Sequence, residues 1–165
     1  MKLIKLILCS FCILFFSQSI AQTIDLATPK FSNKVILKWS EHALLTTFTY
    51  KYSTYVTDFS QAQQFYTANA WWDVQKLLIH QSDVVSKKMI IKAKKLAAPV
   101  IKSQDVENKV YTWIVLMPIT VTYQTKTARR DETLEITALV AQTLPNIGVK
   151  GLAIEAFKGD RVPPQ

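Results

Sequence analysis

Lys109-Val110-Tyr111-Thr112-Trp113-Ile114-Val115-Leu116-Met117-Pro118-Ile119-Thr120-Val121-Thr122-Tyr123-Gln124 is the stretch on which the fold turns. Its residues are β-branched or aromatic at most positions, and they alternate with a period of two. Val110, Thr112, Ile114 and Leu116 fall on one face, and Tyr111, Trp113, Val115 and Met117 on the other. That pattern predicts one long strand, with Trp113 flanked by Tyr111 and Val115 on its own face. Pro118 cannot donate to a ladder, so it marks a bulge or an edge.

Working outward, the period-two signal extends to both sides. Met89–Val100 reads as a strand interrupted by Pro99. After the polar connection Thr125–Asp131, Thr133–Thr143 and Val149–Phe157 read as two more strands, and Pro163-Pro164-Gln165 as a frayed end. The N-terminal half has the helical period instead. Trp39, Ala43, Leu44, Thr47 and Phe48 share a helical face from Lys38 onward, with Ser40 as a candidate cap. The β-branched and aromatic stretch Thr46–Thr57 follows. Asp58 with Gln61 resembles a capping box for a second helix to about Tyr66. Thr67 can cap a third carrying Trp71, Val74, Leu78 and Ile79. Ser82 or Asp83 can cap a last turn ending near Lys88. Three or four short helices followed by long strands is an α+β order. The expectation is N-terminal helices packed on a curved antiparallel sheet, a cone of the nuclear-transport-factor-like kind.

Composition narrows the chemistry. In 165 residues, 49% are apolar and 19% charged, which suits one packed domain. The three glycines, Gly148, Gly151 and Gly159, cannot form a GxGxxG or GxxxxGK[ST] phosphate cradle. With two Cys, two His and no HExxH, and with the one CxxC spacing (Cys9 to Cys12) inside the apolar N-terminal run, few metal or thiol ligands are on offer, so no cofactor is expected. His42 and His80 fall on different helices, where a metal would need three or four converging ligands. His80 reads as a helix-end residue favoured by the dipole.

Met1–Ala21 reads as a secretory signal. Lys2 and Lys5 form its basic start, and Leu6–Phe16 is eleven residues without a charge, within the roughly 7–15 of such a core. Ser19 and Ala21 supply the small residues of a cleavage site, so the mature chain is expected to begin at Gln22. The alternative is an uncleaved inner-membrane anchor, although a span needs roughly 20 apolar residues. Cys9 follows Leu8 and Cys12 follows Phe11, a poor fit to lipid attachment. Cleavage would remove both Cys, and with Lys2 and Lys5 would lower the formal charge from +8 to +6. The expected organisation is a signal at 1–21, a leader at 22–37, a domain at 38–158 and a flexible C-terminus at 159–165.

The central strand resembles that of the DotI/IcmL family of type IVB (Dot/Icm) secretion-system proteins. Trp113, Met117-Pro118 and Val121-Thr122-Tyr123-Gln124 carry the resemblance. Trp39-Ser40 with Ala43, Tyr50–Tyr55, Ala62, Phe65-Tyr66-Thr67 and Trp71 are similar to its helical half, and Gly151-Leu152-Ala153-Ile154 with Phe157 to its closing strand. The resemblance covers about residues 38–158. It implies a periplasmic domain of the VirB-type assembly-factor fold, serving assembly of a translocation complex and not catalysis. The family's core member carries a cytosolic tail and a transmembrane helix before this domain, whereas Met1–Ala21 is signal-like, so a soluble periplasmic paralogue is expected.

Two function classes follow. The first is a non-enzymatic assembly protein that binds envelope proteins of a secretion machine, or itself. Adjacent helical residues point about 100° apart, so one of Trp71 and Trp72 is expected in the core and the other at a rim, where exposed aromatics mark interaction sites. Tyr52 and Tyr55 are further candidates. The second class is a small-molecule-binding or enzymatic cone, with Asp73, Tyr66, Tyr111, Tyr123 and Glu135 as trial residues; the alternative for Asp73 is a solvent-facing helix position. Lys87, Lys88, Lys92, Lys94 and Lys95 form the densest basic cluster. On a strand Lys92 and Lys94 share a face that Lys95 does not. That split suits a solvated edge or contact with an anionic membrane surface. Nucleic acid is not expected as a partner of an exported chain.

Overall fold

The computed structural model describes residues 24–163. The expected signal Met1–Ala21, its cleavage point, Cys9 and Cys12 lie outside the described residues. Four helices precede the main strands: α1 (Asn33–Thr47), α2 (Tyr55–Gln63), α3 (Ala68–Gln75) and α4 (Gln81–Ser86). Between α1 and α2 lies the short strand β1 (Tyr50–Lys51). After α4 come β2 (Ile90–Lys95), β3 (Val100–Glu107), β4 (Val110–Gln124), β5 (Arg129–Gln142) and β6 (Leu152–Val162). The antiparallel sheet runs β1-β2-β4-β5-β6, and β3 pairs with β4. The expected α+β class, helices on a curled antiparallel sheet, is what forms.

Each helix packs through a stripe set by its sequence. On α1, Ile36, Trp39, Ser40, Ala43, Leu44 and Thr47 are buried, the i, i+3, i+4, i+7 pattern of a core-facing helix. Ser32 occupies its N-cap position. The helix therefore starts five residues before the expected Lys38, inside the expected leader, and Ser40 is a buried inner-face residue instead of a cap. For α2 the N-cap is Thr54, whose hydroxyl donates to Asp58 at 2.6 Å. Asp58 thus sits one turn inside the helix, and α2 ends at Gln63, short of Tyr66. Thr67 caps α3 as expected, its hydroxyl accepting from the Ala70 amide. That helix stops at Gln75, so Leu78 and Ile79 lie in the following turn. His80 is the N-cap residue of α4, at the positive end of a helix and not at the carboxyl end expected for it.

β4 is the spine. Its inner face (Trp113, Val115, Met117, Ile119, Val121, Tyr123) is buried beneath the helices, and Tyr111 packs on Trp113 with ring centroids 4.9 Å apart. One flank of β4 pairs with β5 from Thr112↔Ala141 to Gln124↔Arg129. The other flank is shared. β2 covers Ile119–Gln124 and β3 covers Val110–Leu116. Pro118 lies at the changeover. Its carbonyl accepts from the Leu96 amide at 2.9 Å. In an antiparallel ladder a residue's N–H and C=O point the same way, so the missing N–H faces the corner between β2 and β3, where no ladder partner stands. Pro118 is thus neither bulged nor on an outer strand.

The single strand expected over Met89–Val100 is in fact the whole of β2 (Ile90–Lys95) and, after a break at 96–99, the first residue of β3. β3 leads to β4 through Asn108 and Lys109, both at positive φ (49° and 65°), the conformation of a two-residue type I′ hairpin. β5 begins at Arg129, within the expected polar connection. β6 begins at Leu152, after a turn in which Gly148 has φ +67° and a Cβ there would lie 2.2 Å from the Leu152 carbonyl oxygen. β6 continues to Val162, paired with Thr133, so residues 159–162, expected as a flexible end, belong to the sheet.

The expected leader is also tied down. Gln142 is 1% exposed. Its Oε1 accepts from the Lys30 amide at 2.8 Å, and its Nε2 donates to the carbonyls of Leu26 (3.3 Å) and Thr28 (3.1 Å). The Leu26 carbonyl in turn accepts from the Tyr111 amide at 2.7 Å, one residue beyond the last β4–β5 pair. The segment from Leu26 to Lys30 is a strap that completes the sheet where β5 departs.

Candidate functional site

The helical layer presents the largest exposed aromatic. Trp71 and Trp72 diverge as the helix geometry requires: Trp71 is 6% exposed and Trp72 is 66% exposed. Trp71 packs edge-on to Phe59 (5.5 Å) and against Tyr66 (5.5 Å), so it is core. Trp72 borders a groove of about 340 Å³ with Tyr55, Phe59, Leu78, Ile79 and His80. A smaller adjoining groove, about 160 Å³, is lined by Tyr52, Val56 and Val85 and shares Tyr55 and Gln81 with the first. Tyr52, Val56 and Val85 are themselves exposed apolar residues. Three of the four candidate residues, Tyr52, Tyr55 and Trp72, are therefore brought to one surface, and Trp71 is not.

That surface rests on a rigid base. Tyr55 stacks on Phe59 at 4.2 Å, and both meet Tyr50 edge-on (5.8 and 5.3 Å). Phe59 then contacts Trp71, and Tyr66 contacts Phe157. The aromatic chain runs from the groove into the core. Burial pushes the Tyr55 and Tyr50 phenols up from their ordinary value, so both stay neutral hydrogen-bonding groups at ordinary pH.

The trial residues for acid–base chemistry do not converge. Asp73 lies on the exposed side of α3 and pairs with Lys76 at 2.6 Å, the solvent-facing reading. The Tyr66 hydroxyl is buried against the Thr47 hydroxyl at 2.7 Å, and burial raises its pKa. Tyr111 packs on Trp113. Glu135 is an exposed residue of β5. Tyr123 sits at the far end of β4 under the Arg130 guanidinium, 4.9 Å from its ring centre. Its pKa is pushed up to about 12, chiefly by burial and then by the Glu132 charge. His42 packs edge-on against Phe65. Among the described residues no three His, Cys, Asp or Glu side chains gather as metal ligands.

The basic cluster divides by face. Lys95 reaches Glu41 of α1 at 2.8 Å, while Lys92 and Lys94 occupy exposed positions of β2, as the strand period requires. Lys87 pairs with Asp83 at 2.9 Å, which holds the Asp83 carboxyl below its ordinary pKa. Of the family-like motif, Trp113, Met117, Val121 and Tyr123 fill the core face of β4. Pro118 and Thr122 are half-buried on the opposite face, and Gln124 is exposed at the end. The motif is a core signature, not a surface. Sequence reasoning missed Gln142; a lone Gln ending an apolar strand carries no signal that it will meet a distant backbone. No helix among the described residues is long and apolar enough to cross a membrane.

Comparison with known proteins supplies the lineage. No curated protein matches the chain. The periplasmic domain of DotI is similar, with 26% identity and a TM-score of 0.75, over 82% of this chain and 99% of that one. An IcmL-like type IV secretion system protein from Legionella pneumophila shares the fold (19% identity, TM-score 0.70), over 82% of this chain and 96% of that one. So does a periplasmic fragment of TraM (15% identity, TM-score 0.71), over 80% and 99%. The family model described as an inner-membrane complex component of the type IVB secretion system matches residues 15–161. On a match that spans both the helical layer and the whole sheet, the chain belongs to the DotI/IcmL family of type IVB secretion-system components.

Proposed function

We propose that this protein is a non-enzymatic assembly component that works in the periplasm by docking envelope proteins of a secretion machine onto its helical layer. The observation that carries the reading is Trp72, 66% exposed beside an apolar groove that rests on packed aromatics. A large ring at the edge of a preformed apolar groove is the kind of residue that dominates interface energy once water is excluded around it. Tyr52 and Tyr55 extend the surface. Family membership supports the same reading, because the family is one of inner-membrane complex components and not a known enzyme class.

Export precedes docking in this proposal. Cleavage between Ala21 and Gln22 leaves a chain that keeps the whole strap, Leu26 to Lys30, and mass spectrometry of the exported protein then finds Gln22 at its start. A full-length species that resists carbonate extraction contradicts this. Docking is tested by in-cell crosslinking with a photoreactive residue at Trp72 and a control at the exposed Glu155. Specific adducts are expected at Trp72 only. Equal labelling at both positions, or none at Trp72, overturns the docking surface.

A further inference from the structure

Three separate segments meet at the end of the molecule where β5 leaves the sheet: the strap, the β3–β4 turn at Asn108-Lys109, and the β5–β6 connection over residues 143–151. Hydrogen bonds fix them there. The Tyr111 amide, just after the β3–β4 turn, donates to the Leu26 carbonyl at 2.7 Å, and the Thr143 amide donates to the Gly151 carbonyl at 2.9 Å. The Trp39 indole donates to the Val149 carbonyl at 3.0 Å, and the Thr143 hydroxyl to the Ile147 carbonyl at 2.7 Å. The connection so pinned presents Leu144 and Ile147 outward, 38% and 48% exposed, and Ile24 at the head of the strap is 42% exposed.

The same end carries lysines that no carboxylate holds. Lys30 and Lys34 flank the junction of strap and α1, and Lys109 and Lys150 stand in the two turns at positive φ (65° and 59°). All four are exposed, and none forms an ion pair among the described residues. Two acids lie beside them. Asp25 is engaged in its own turn, accepting from the Ala27 amide at 2.9 Å and the Thr28 hydroxyl at 2.6 Å. Glu107 precedes the β3–β4 turn. Lys102 and Asp105, farther along β3, balance each other in charge. The opposite end differs, because Lys87, Arg129, Arg130 and Arg161 there are each paired to a carboxylate.

Aliphatic side chains that protrude among unpaired lysines suit the boundary of a bilayer. The aliphatics enter the acyl edge, and the lysine stems lie along it while their ammonium groups reach lipid phosphates. The place of this end in the chain selects that occupant. The charge-free run Leu6–Phe16 ends eight positions before Ile24. A chain spans at most about 3.5 Å per residue, so before cleavage Ile24 lies within about 28 Å of that run. We infer that the strap end is a lipid-binding face: once the signal is removed, Ile24, Leu144 and Ile147 enter the interface of the anionic inner membrane, and the lysines of the strap and the two turns meet its phosphates. The inference rests on export as proposed above and not on the Trp72 surface, which shares no residue with this face.

Sedimentation of the purified exported chain with vesicles tests it. Binding to phosphatidylglycerol vesicles is expected, at least about tenfold tighter than to phosphatidylcholine vesicles and weaker as salt rises. K109Q/K150Q removes two of the charges and I147S one aliphatic contact, with a thermal melt checking that each is folded. The first is expected to bind phosphatidylglycerol at least about tenfold more weakly, and the second severalfold. K92Q/K94Q removes as much charge from β2, and it and W72A are expected to stay within about threefold of the unmodified chain. In the unmodified chain, hydrogen exchange is expected to slow at residues 143–151 on adding phosphatidylglycerol vesicles, and not in α4. No binding, equal binding to phosphatidylcholine, equal losses in K92Q/K94Q and K109Q/K150Q, or unchanged exchange at 143–151 overturns the inference. Displacement of the chain from vesicles by inorganic phosphate at matched ionic strength also overturns it, since that result assigns the lysines to a free anion. None of these outcomes bears on docking at Trp72, and a full-length exported species overturns export instead.

Discussion

Single residues divide here into those that hold the sheet and those that face outward. Trp113 is the largest fully buried side chain. Trp113→Ala is expected to cost about 3–5 kcal/mol through lost burial and the cavity left behind, read as a shift in the denaturation midpoint. Trp72→Ala should leave stability within about 0.5 kcal/mol, as for an exposed site, while abolishing partner adducts. Tyr123 gives a pH signature. Its folded pKa of about 12 lies above the ordinary 10.0, so the folded state holds this proton more tightly. The stability it contributes is intact below about pH 10 and is lost as pH rises through about 12. Tyr50 and Tyr66 are shifted the same way by burial. Alkaline titration of unfolding should therefore show a falling limb above pH 10, shallower in Tyr123→Phe. An unchanged limb would place that proton in water.

The elements show where a sequence is legible. β4 was readable because its alternation is unbroken on a half-covered sheet, and Trp71 and Trp72 were readable as a divergent pair because adjacent helical residues must diverge. β3 was not. Val100–Glu107 is exposed or nearly so along its length, so its polar and apolar residues follow no period, and its turn uses Asn108-Lys109 in place of a glycine. The helix starts shifted because competing caps were equivalent in sequence: Ser32 and Ser40, Thr54 and Asp58 differ only in what surrounds them. The candidate surface was half legible. The exposed ring followed from helix geometry, but the groove beside it depends on where the turn after α3 places Leu78 and Ile79. The strap could not be read at all, since it rests on hydrogen bonds between residues more than 110 apart. Gln142→Ala leaves the Lys30 amide and two carbonyls without that partner, a cost of about 1–3 kcal/mol. Limited proteolysis should then cut within residues 24–31 well before the sheet is attacked. Equal protection in the variant would show that the strap is held by other contacts.

For the whole molecule, the sheet is asymmetric in how it is closed. One flank of β4 is split between two short strands at Pro118, and the other is a long hairpin with β5 finished by the strap. The helical layer covers the inner face of β4, and Tyr52, Val56, Trp72 and Val85 are exposed on its outer side. The strap also orders events in time. Leu26 and Lys30 lie near the start of the described chain, yet their partners Tyr111 and Gln142 exist as a surface only once β4 and β5 have paired. Closing so long a loop is entropically slow, and nothing local rewards it earlier. The first described residues to leave the ribosome are thus among the last to reach their native positions. In pulsed hydrogen exchange during refolding, the Tyr111 amide should gain protection after the β4–β5 ladder, and Gln142→Ala should erase that late step while the ladder forms at its usual rate.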